Sequence, residues 1–502
     1  RWRNARGSWG DARPKPAPTA RNGAMPSADD LLDRHDATTA ADAVRSGDVS
    51  PRELVEAAIS RIEARNPDLN AVVSTRFDQA LAEADAIDRA RPFAGVPFVV
   101  KDLGTDVAGL PHTRGSRLFA DDVSTADSEL VRRYKAAGFV ILAKTNTPEL
   151  GKNASTEPLL HGPTRNPHGL GHSTGGSSGG TAAAIASGMV AIGHGNDGGG
   201  SIRIPSSACG LFGLKPSRSR ITADPSRSLL SYPMGINHVL TRSVRDSAAV
   251  LDLTAGPMPG DPYQIPPPAR PWLDEVGADP GRLRIALDPE RAGYPSHPDC
   301  VAATTALAST LESLGHEIVE AGPDYPDDAI GTVMRTIMGV PTAVEIDRRL
   351  AALGRELGDD DLEPFSRMMY DVARPVTGDQ VIEALELVED IARSIGAFFV
   401  DHDLLLTPVL AQPVPPLGYL DTTDIESMVT RAGTYSALTS PYNTTGQPAV
   451  SLPVGRDAAG RPIGVQLVAA FGREDQLVAV SSQVEQATPW STEAVWPPVP
   501  AD

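Results

Sequence analysis

The chain reads as an α/β protein built on a parallel or mixed sheet, and three features of the sequence predict it. Segments of helical periodicity alternate with short apolar runs from Thr39 onward, the pattern of helices layered on a sheet. Hydrophobic residues fill 41% of the 502 positions, enough for a large buried core. Two glycine-rich turns, Gly175 to Gly180 and Gly198 to Ser201, flank a helix-then-strand segment in mid-chain.

In chain order, Arg1 to Met25 is basic and proline-bearing, with no apolar stretch. That excludes a secretory signal and predicts a disordered tail or upstream translation over residues 1–26, with Met25 a candidate start, ahead of a main domain over 27–502. A helix from Thr39 to Ser46 ends at Gly47, and Ser50-Pro51-Arg52-Glu53 is a capping box with proline at the first helical position. Leu54, Val55, Ala58, Ile59 and Ile62 share one face of the next helix, which should stop near Asn66-Pro67. A strand at Leu69–Val73, a helix at Asp78–Arg89 and an apolar strand at Gly95–Leu103 carrying Lys101 near its end are expected next. A helix at Asp127–Ala137 capped by Gly138 and a strand at Phe139–Ala143 follow. In the central stretch the alanine-rich Thr181–Ser187 is helical, Gly188 ends it, and Met189–Ile192 is a buried strand. Beyond it come a helix at Ser247–Leu253, a proline-rich connector through Pro268, a strand at Leu283–Leu287, a helix at Val301–Leu314 and a strand at His316–Glu320. Tyr325 to Arg393 is mostly helical, and its acidic run Glu356–Asp361 is a solvated loop. A core strand at Leu404–Pro408 precedes a turn and paired strands across Asn443–Pro453 and Pro462–Val468.

Composition removes several classes of function. A net charge of −19 excludes nucleic acid and anionic membrane surfaces as partners, since both require basic contacts. Two cysteines, Cys209 and Cys300, form no disulfide framework and fit a reducing cytoplasm. Cys209 sits among Ala208, Leu211 and Phe212 and reads as a small buried hydrophobe. No stretch has the uninterrupted apolar length of a membrane span. His161, His168 and His172 cluster in a Pro/Gly loop without a carboxylate or thiolate set. With neither HExxH nor CxxC present, no metal and no cofactor are expected.

The two turns admit several readings. They can be plain surface loops, or phosphate loops, although neither ends in Gly-Lys-Ser/Thr or fits GxGxxG. Gly171-His172-Ser173-Thr174-Gly175 and Gly176 to Gly180 both match the GxSxG nucleophile elbow. An elbow requires a buried strand running into the serine, and Asn166 to Leu170 reads as a turn. Alternatively, each turn offers a serine beside a nest of backbone N–H groups, which is what acyl transfer uses.

Gly175-Gly176-Ser177-Ser178-Gly179-Gly180, then helix and strand, then Gly195-Asn196-Asp197-Gly198-Gly199-Gly200-Ser201-Ile202-Arg203 and Pro205, resembles the amidase signature family, and the likeness runs from about Thr38 to Trp490. The resemblance implies one large α/β/α domain over 27–502, a central twisted mixed sheet covered by helices. It makes Ser201 the nucleophile, Ser177, on a cis peptide bond, the proton shuttle, and Lys101 the base. The N–H groups of Gly198, Gly199, Gly200 and Ser201 would form the oxyanion hole. Ser178 and Asp197 would orient the network, and Arg203 would brace the turn. Region 254–400, where such proteins vary most, would shape the substrate pocket, with Met334, Ile337 and Met338 as a deformable wall. Asn196 departs from the commoner threonine, a variant shared with bacterial amidases that resemble 6-aminohexanoate-cyclic-dimer hydrolase.

The function expected is therefore a serine amidohydrolase acting on small-molecule amides through an acyl-enzyme, with carbamates, anilides and esters within the same chemistry. Its partners would be an amide or carbamate substrate and water, with a homodimer the one assembly considered. The rivals are the glutaminase subunit of a tRNA-dependent amidotransferase and a noncatalytic binding protein on the same fold.

Overall fold

The computed structural model describes residues 26–225, 234–291 and 293–501. All but the last residue of the expected tail over 1–26 lies outside the described residues. Thirteen strands are found among those described, in chain order β1 (Val72–Thr75), β2 (Pro97–Lys101), β3 (Val140–Thr145), β4 (Arg165–Asn166), β5 (Gly169–Ser173), β6 (Ile192–Asp197), β7 (Phe212–Lys215), β8 (Ile236–Thr241), β9 (Arg284–Leu287), β10 (Glu317–Glu320), β11 (Leu404–Pro408), β12 (Ala449–Arg456) and β13 (Pro462–Ala469). Strands β4 and β5 form a separate ribbon. The other eleven make one sheet in the order β1-β3-β2-β6-β8-β7-β12-β13-β11-β9-β10.

The sheet is mixed. Strands β3, β2 and β6 run parallel, as do β11, β9 and β10. The strands between them, from β6 through β8, β7, β12 and β13 to β11, pair antiparallel. Buried-on-both-faces strands such as β2 (Pro-Phe-Val-Val-Lys) and β11 (Leu-Leu-Leu-Thr-Pro) read as continuous apolar runs because helices cover both faces. The aromatic rings of Phe93, Phe98, Tyr134 and Phe139 pack together where the helix Glu129–Ala137 lies on β2 and β3. Among the described residues no helix is long and apolar enough to cross a membrane.

Several boundaries differ from the sequence reading for identifiable reasons. The helix begun at Pro51 passes through Pro67 to Leu69 and stops at Asn70, which takes the left-handed conformation at φ 50°. Asn66 Oδ1 then accepts the N–H groups of Ala71 and Val72, each at 2.8 Å, so the strand starts at Val72 and not at Leu69. Met189–Ala191 is a buried connection, and the strand is β6, Ile-Gly-His-Gly-Asn-Asp. Its polar side chains find distant partners, as when His194 Nε2 meets Thr105 Oγ1 at 3.1 Å and Asn237 Oδ1 at 3.2 Å, although His194 Nδ1 has none among the described residues. A buried strand can carry such residues only when partners of this kind exist. The helix Arg203–Cys209, not foreseen, follows directly from the second glycine turn, and Cys209 is buried in it as expected. Burial pushes its thiol well above the usual range.

Candidate active site

The apolar run of β2 delivers Lys101 to the carboxyl end of the strand with none of its side chain exposed. Its Nζ lies 2.7 Å from Ser177 Oγ and donates to Asn196 Oδ1 at 2.6 Å. Burial drives the amine well below the ordinary lysine range, against the opposing pull of Asp197. Asn196 is held in turn by its own Nδ2, which donates to the Leu103 carbonyl at 2.8 Å. The sequence reading marked Asn196 only as a departure, and its position beside the lysine gives it a role no local signal carried.

Ser177 follows a cis peptide bond from Gly176. Ser178 Oγ donates to the Asn196 carbonyl at 3.3 Å and is fully buried, so it fastens the first turn to β6.

The second turn is organised by Asp197, the last residue of β6. Its carboxylate accepts from Gly200 N at 2.8 Å and Ile202 N at 3.1 Å, from Arg203 Nε and Nη2 at 3.0 and 2.9 Å, and from Asn443 Nδ2 at 2.8 Å. Burial opposes ionisation, yet Arg203 beside it holds the carboxyl well below its usual range. Arg203 gives its five donors to Asp197, Thr439, Gln466 and Asn443 and is fully buried. That guanidinium has no donor left for a substrate.

One expected donor is corrected by this arrangement. The Gly199–Gly200 peptide is pinned at both ends, with Gly199 O accepting from Thr439 Oγ1 at 2.6 Å and Gly200 N–H given to Asp197. Gly200 adopts φ +132° and packs against Thr439, where a Cβ would collide with the hydroxyl. Its N–H therefore points away from the cavity. The N–H groups of Gly198, Gly199 and Ser201 have no acceptor among the described residues, and these three residues line the cavity while Gly200 does not.

That cavity has a volume of about 980 Å³, room for a substantial small molecule. Ser177, Asn196 and Ser201 form its base, whereas Lys101 stands behind Ser177. The opposite wall comes from the helical segment after Tyr325. Met338 Cε lies 3.1 Å from where Gly198 would carry a Cβ, and Met334 Cε stands 3.2 Å from the same point on Gly199. Met368, Met369 and Phe365 extend this wall and were not foreseen. Ile337, expected in it, is corrected: it lies in a cluster with Ile330, Val388 and Ile391 and is buried away from the cavity. Met334 and Met338 are one helical turn apart and share the face that Ile337 does not.

The remaining candidates disperse. A strand, β5, does lead into Ser173, where a turn was expected. It belongs to the two-stranded ribbon, and Ser173 Oγ is bonded to Ser155 Oγ at 2.6 Å, outside the cavity lining. His161 reaches Thr113 Oγ1 at 3.1 Å, His168 meets the Cys209 carbonyl at 3.2 Å, and His172 is bonded to Arg461, so the three histidines do not converge.

A family model described as Amidase matches residues 53–478. The chain is 40% identical over 470 residues to 6-aminohexanoate-cyclic-dimer hydrolase of Paenarthrobacter ureafaciens, covering 91% of this chain and 95% of that protein. It is 36% identical over 468 residues to an acylamidase of Rhodococcus erythropolis, covering 91% and 96%. A solved structure of 6-aminohexanoate cyclic dimer hydrolase complexed with substrate superimposes with a TM-score of 0.87 at 38% identity, over 93% of this chain and 99% of that one.

Proposed function

The chain belongs to the amidase signature family and is an amidohydrolase acting on carbon–nitrogen amide bonds, and on that premise we propose that Ser201, Ser177 and Lys101 carry the reaction. The observation that supports this most is the fully buried Lys101 amine 2.7 Å from the Ser177 hydroxyl, with Ser177 and Ser201 on the floor of one cavity.

An amide carbonyl is a weak electrophile, so it needs an activated nucleophile, a trap for the developing charge and an acid for the leaving nitrogen. Asn196 Oδ1 can only accept, which takes one N–H of Lys101 and turns the lone pair of the neutral amine toward Ser177. Ser201 Oγ attacks the carbonyl carbon, its proton passes to Ser177, and the Ser177 proton passes to Lys101. The oxyanion receives the N–H groups of Gly198, Gly199 and Ser201, each donor worth roughly 3 kcal/mol by analogy with other such holes. The C–N bond breaks as the Lys101 ammonium returns its proton through Ser177 to the departing amine. Water then attacks the acyl-enzyme by the same relay, releasing the acid and restoring Ser201.

The substrate reading is a small molecule with a linear or cyclic amide, and carbamate, anilide and ester bonds fall within the same chemistry. The names of the relatives make an amide of an aminoalkanoic acid the first compound to try. Similarity over nine-tenths of the chain to named hydrolases does not favour a glutaminase subunit or a noncatalytic binder. A cytoplasmic location and a homodimer belong to the same proposal, motivated by the two unpaired cysteines and by the family. The test is hydrolysis of a panel of amides combined with mass spectrometry of fluorophosphonate-labelled protein. Label on Ser201 together with amide turnover is expected. Turnover with the label on another serine would overturn the assignment.

A further inference from the structure

The cavity is lined by an amine that the reaction does not use, Lys152. Lys152 follows Gly151, whose backbone approaches the first turn so closely that a Cβ there would stand 3.3 Å from Ser177 Oγ. Lys152 Nζ donates to the Met338 carbonyl at 3.1 Å, and the Met338 methyl in turn rests against Gly198. The ammonium therefore spans the gap between the serine floor and the methionine wall, and it lines the same cavity as both.

Its charge is poorly answered. One carbonyl accepts from it, leaving two of its three donors without a partner among the described residues. Among the described residues no carboxylate lies within ion-pair distance. Glu345, whose charge it feels, is taken by Arg114 at 2.8 Å. Burial lowers the amine to about 8, so it still carries its proton at neutral pH. A partly buried cation with spare donors lining a substrate cavity is well placed to receive an anionic acceptor from the ligand. A lysine serving only to fasten Met338 would need neither the cavity position nor the spare donors.

We propose that Lys152 is a specificity-determining residue whose ammonium receives a carboxylate carried by the substrate away from the scissile amide. The inference rests on the hydrolase reading above. It adds a preference for acid-bearing amides that Met334 and Met338 do not provide, in a cavity that Arg291, Asp328 and Arg335 also line.

Two matched substrate pairs test it. Adipic acid mono-p-nitroanilide is compared with 6-hydroxyhexanoyl p-nitroanilide, and N-hexanoyl-6-aminohexanoate with N-hexanoyl-6-amino-1-hexanol. Wild type, Lys152→Met and Lys152→Gln are assayed, the last keeping a donor for Met338 without the charge. Wild type should favour the carboxylate in at least one pair by roughly tenfold in kcat/KM, expressed in KM, as expected for one charge-assisted hydrogen bond. Both variants should lose that preference. A variant in which both members of a pair fall together, leaving their ratio intact, would mean that Lys152 only holds Met338 and would overturn the proposal. So would a wild type that shows no preference in either pair. If wild type cleaves none of the four yet is labelled at Ser201 by a fluorophosphonate, the hydrolase reading stands and the carboxylate is wrong. Absence of labelling would instead remove the reading beneath it.

Discussion

Replacing Lys101 by methionine keeps an unbranched chain and deletes the amine that donates to Asn196 at 2.6 Å and lies 2.7 Å from Ser177. Two effects on stability oppose each other. Asn196 Oδ1 loses a donor, which costs about 1–3 kcal/mol for a buried acceptor. Against this, burial holds the folded amine well below 10.5, and each unit of that depression costs wild type about 1.4 kcal/mol once the pH is below the folded pKa. Between the folded pKa and 10.5 the unfolded chain binds more protons than the folded one, so wild-type stability rises with pH through that window. Methionine has no such dependence. Lys101→Met should therefore sit within about 1–2 kcal/mol of wild type at pH 7 and compare less favourably at pH 9.5. Amide turnover should fall roughly 10²- to 10⁴-fold, the share carried by a general base. Lys101→Arg should be inactive as well, because guanidinium does not release its proton in this range. Urea unfolding at the two pH values and anilide hydrolysis from pH 6 to 10 read both effects. The wild-type rate should climb along a limb that reports a single group. A folded Lys101→Met protein with near-native amide turnover would refute the base assignment. A variant that compares better with wild type at pH 9.5 than at pH 7 would refute the claim that the amine is destabilised by burial.

Ser201→Ala should abolish fluorophosphonate labelling and cost on the order of 10⁶ in kcat, as loss of a nucleophile does elsewhere. Ser173→Ala and Ser178→Ala should still be labelled, and transfer of the label to Ser173 would revive the elbow reading. Asp197→Asn strips the buried Arg203 of its counter-charge and should lower stability by roughly 3–5 kcal/mol. An unchanged urea midpoint would show that the pair does not brace the turn. Met338→Ala removes the methyl that rests on Gly198 and should widen the range of acyl groups accepted. A selectivity panel identical to wild type would contradict its place in the wall.

What the sequence determined by itself was local chemistry. Glycine runs with serines at fixed places, a small-residue helix between them and an apolar strand ending in lysine are short-range patterns. Together with the alternation of helical and apolar segments they were enough for the layered α/β architecture and for two serine-bearing turns, and the family likeness then pointed to Ser177, Ser201 and Lys101. Lys101 and Ser177 are 76 positions apart, and only the motif as a whole, not either residue alone, links them. Tertiary structure decided the rest, wherever a group's direction depends on a distant partner. Strand β6 could not be placed from periodicity because His194, Asn196 and Asp197 are polar, and the partners that allow them inside come from other parts of the chain. The N–H of Gly200 was an equal candidate with its neighbours in the sequence. It is withdrawn from the cavity because Asp197 takes it and Thr439, 240 positions away, fixes the other end of the same peptide. Ile337 and Met338 are adjacent and similarly apolar. Which of them meets a substrate is set by the helix face that packs on Val388 and Ile391, because a buried face is chosen by what lies against it and not by the composition of the turn.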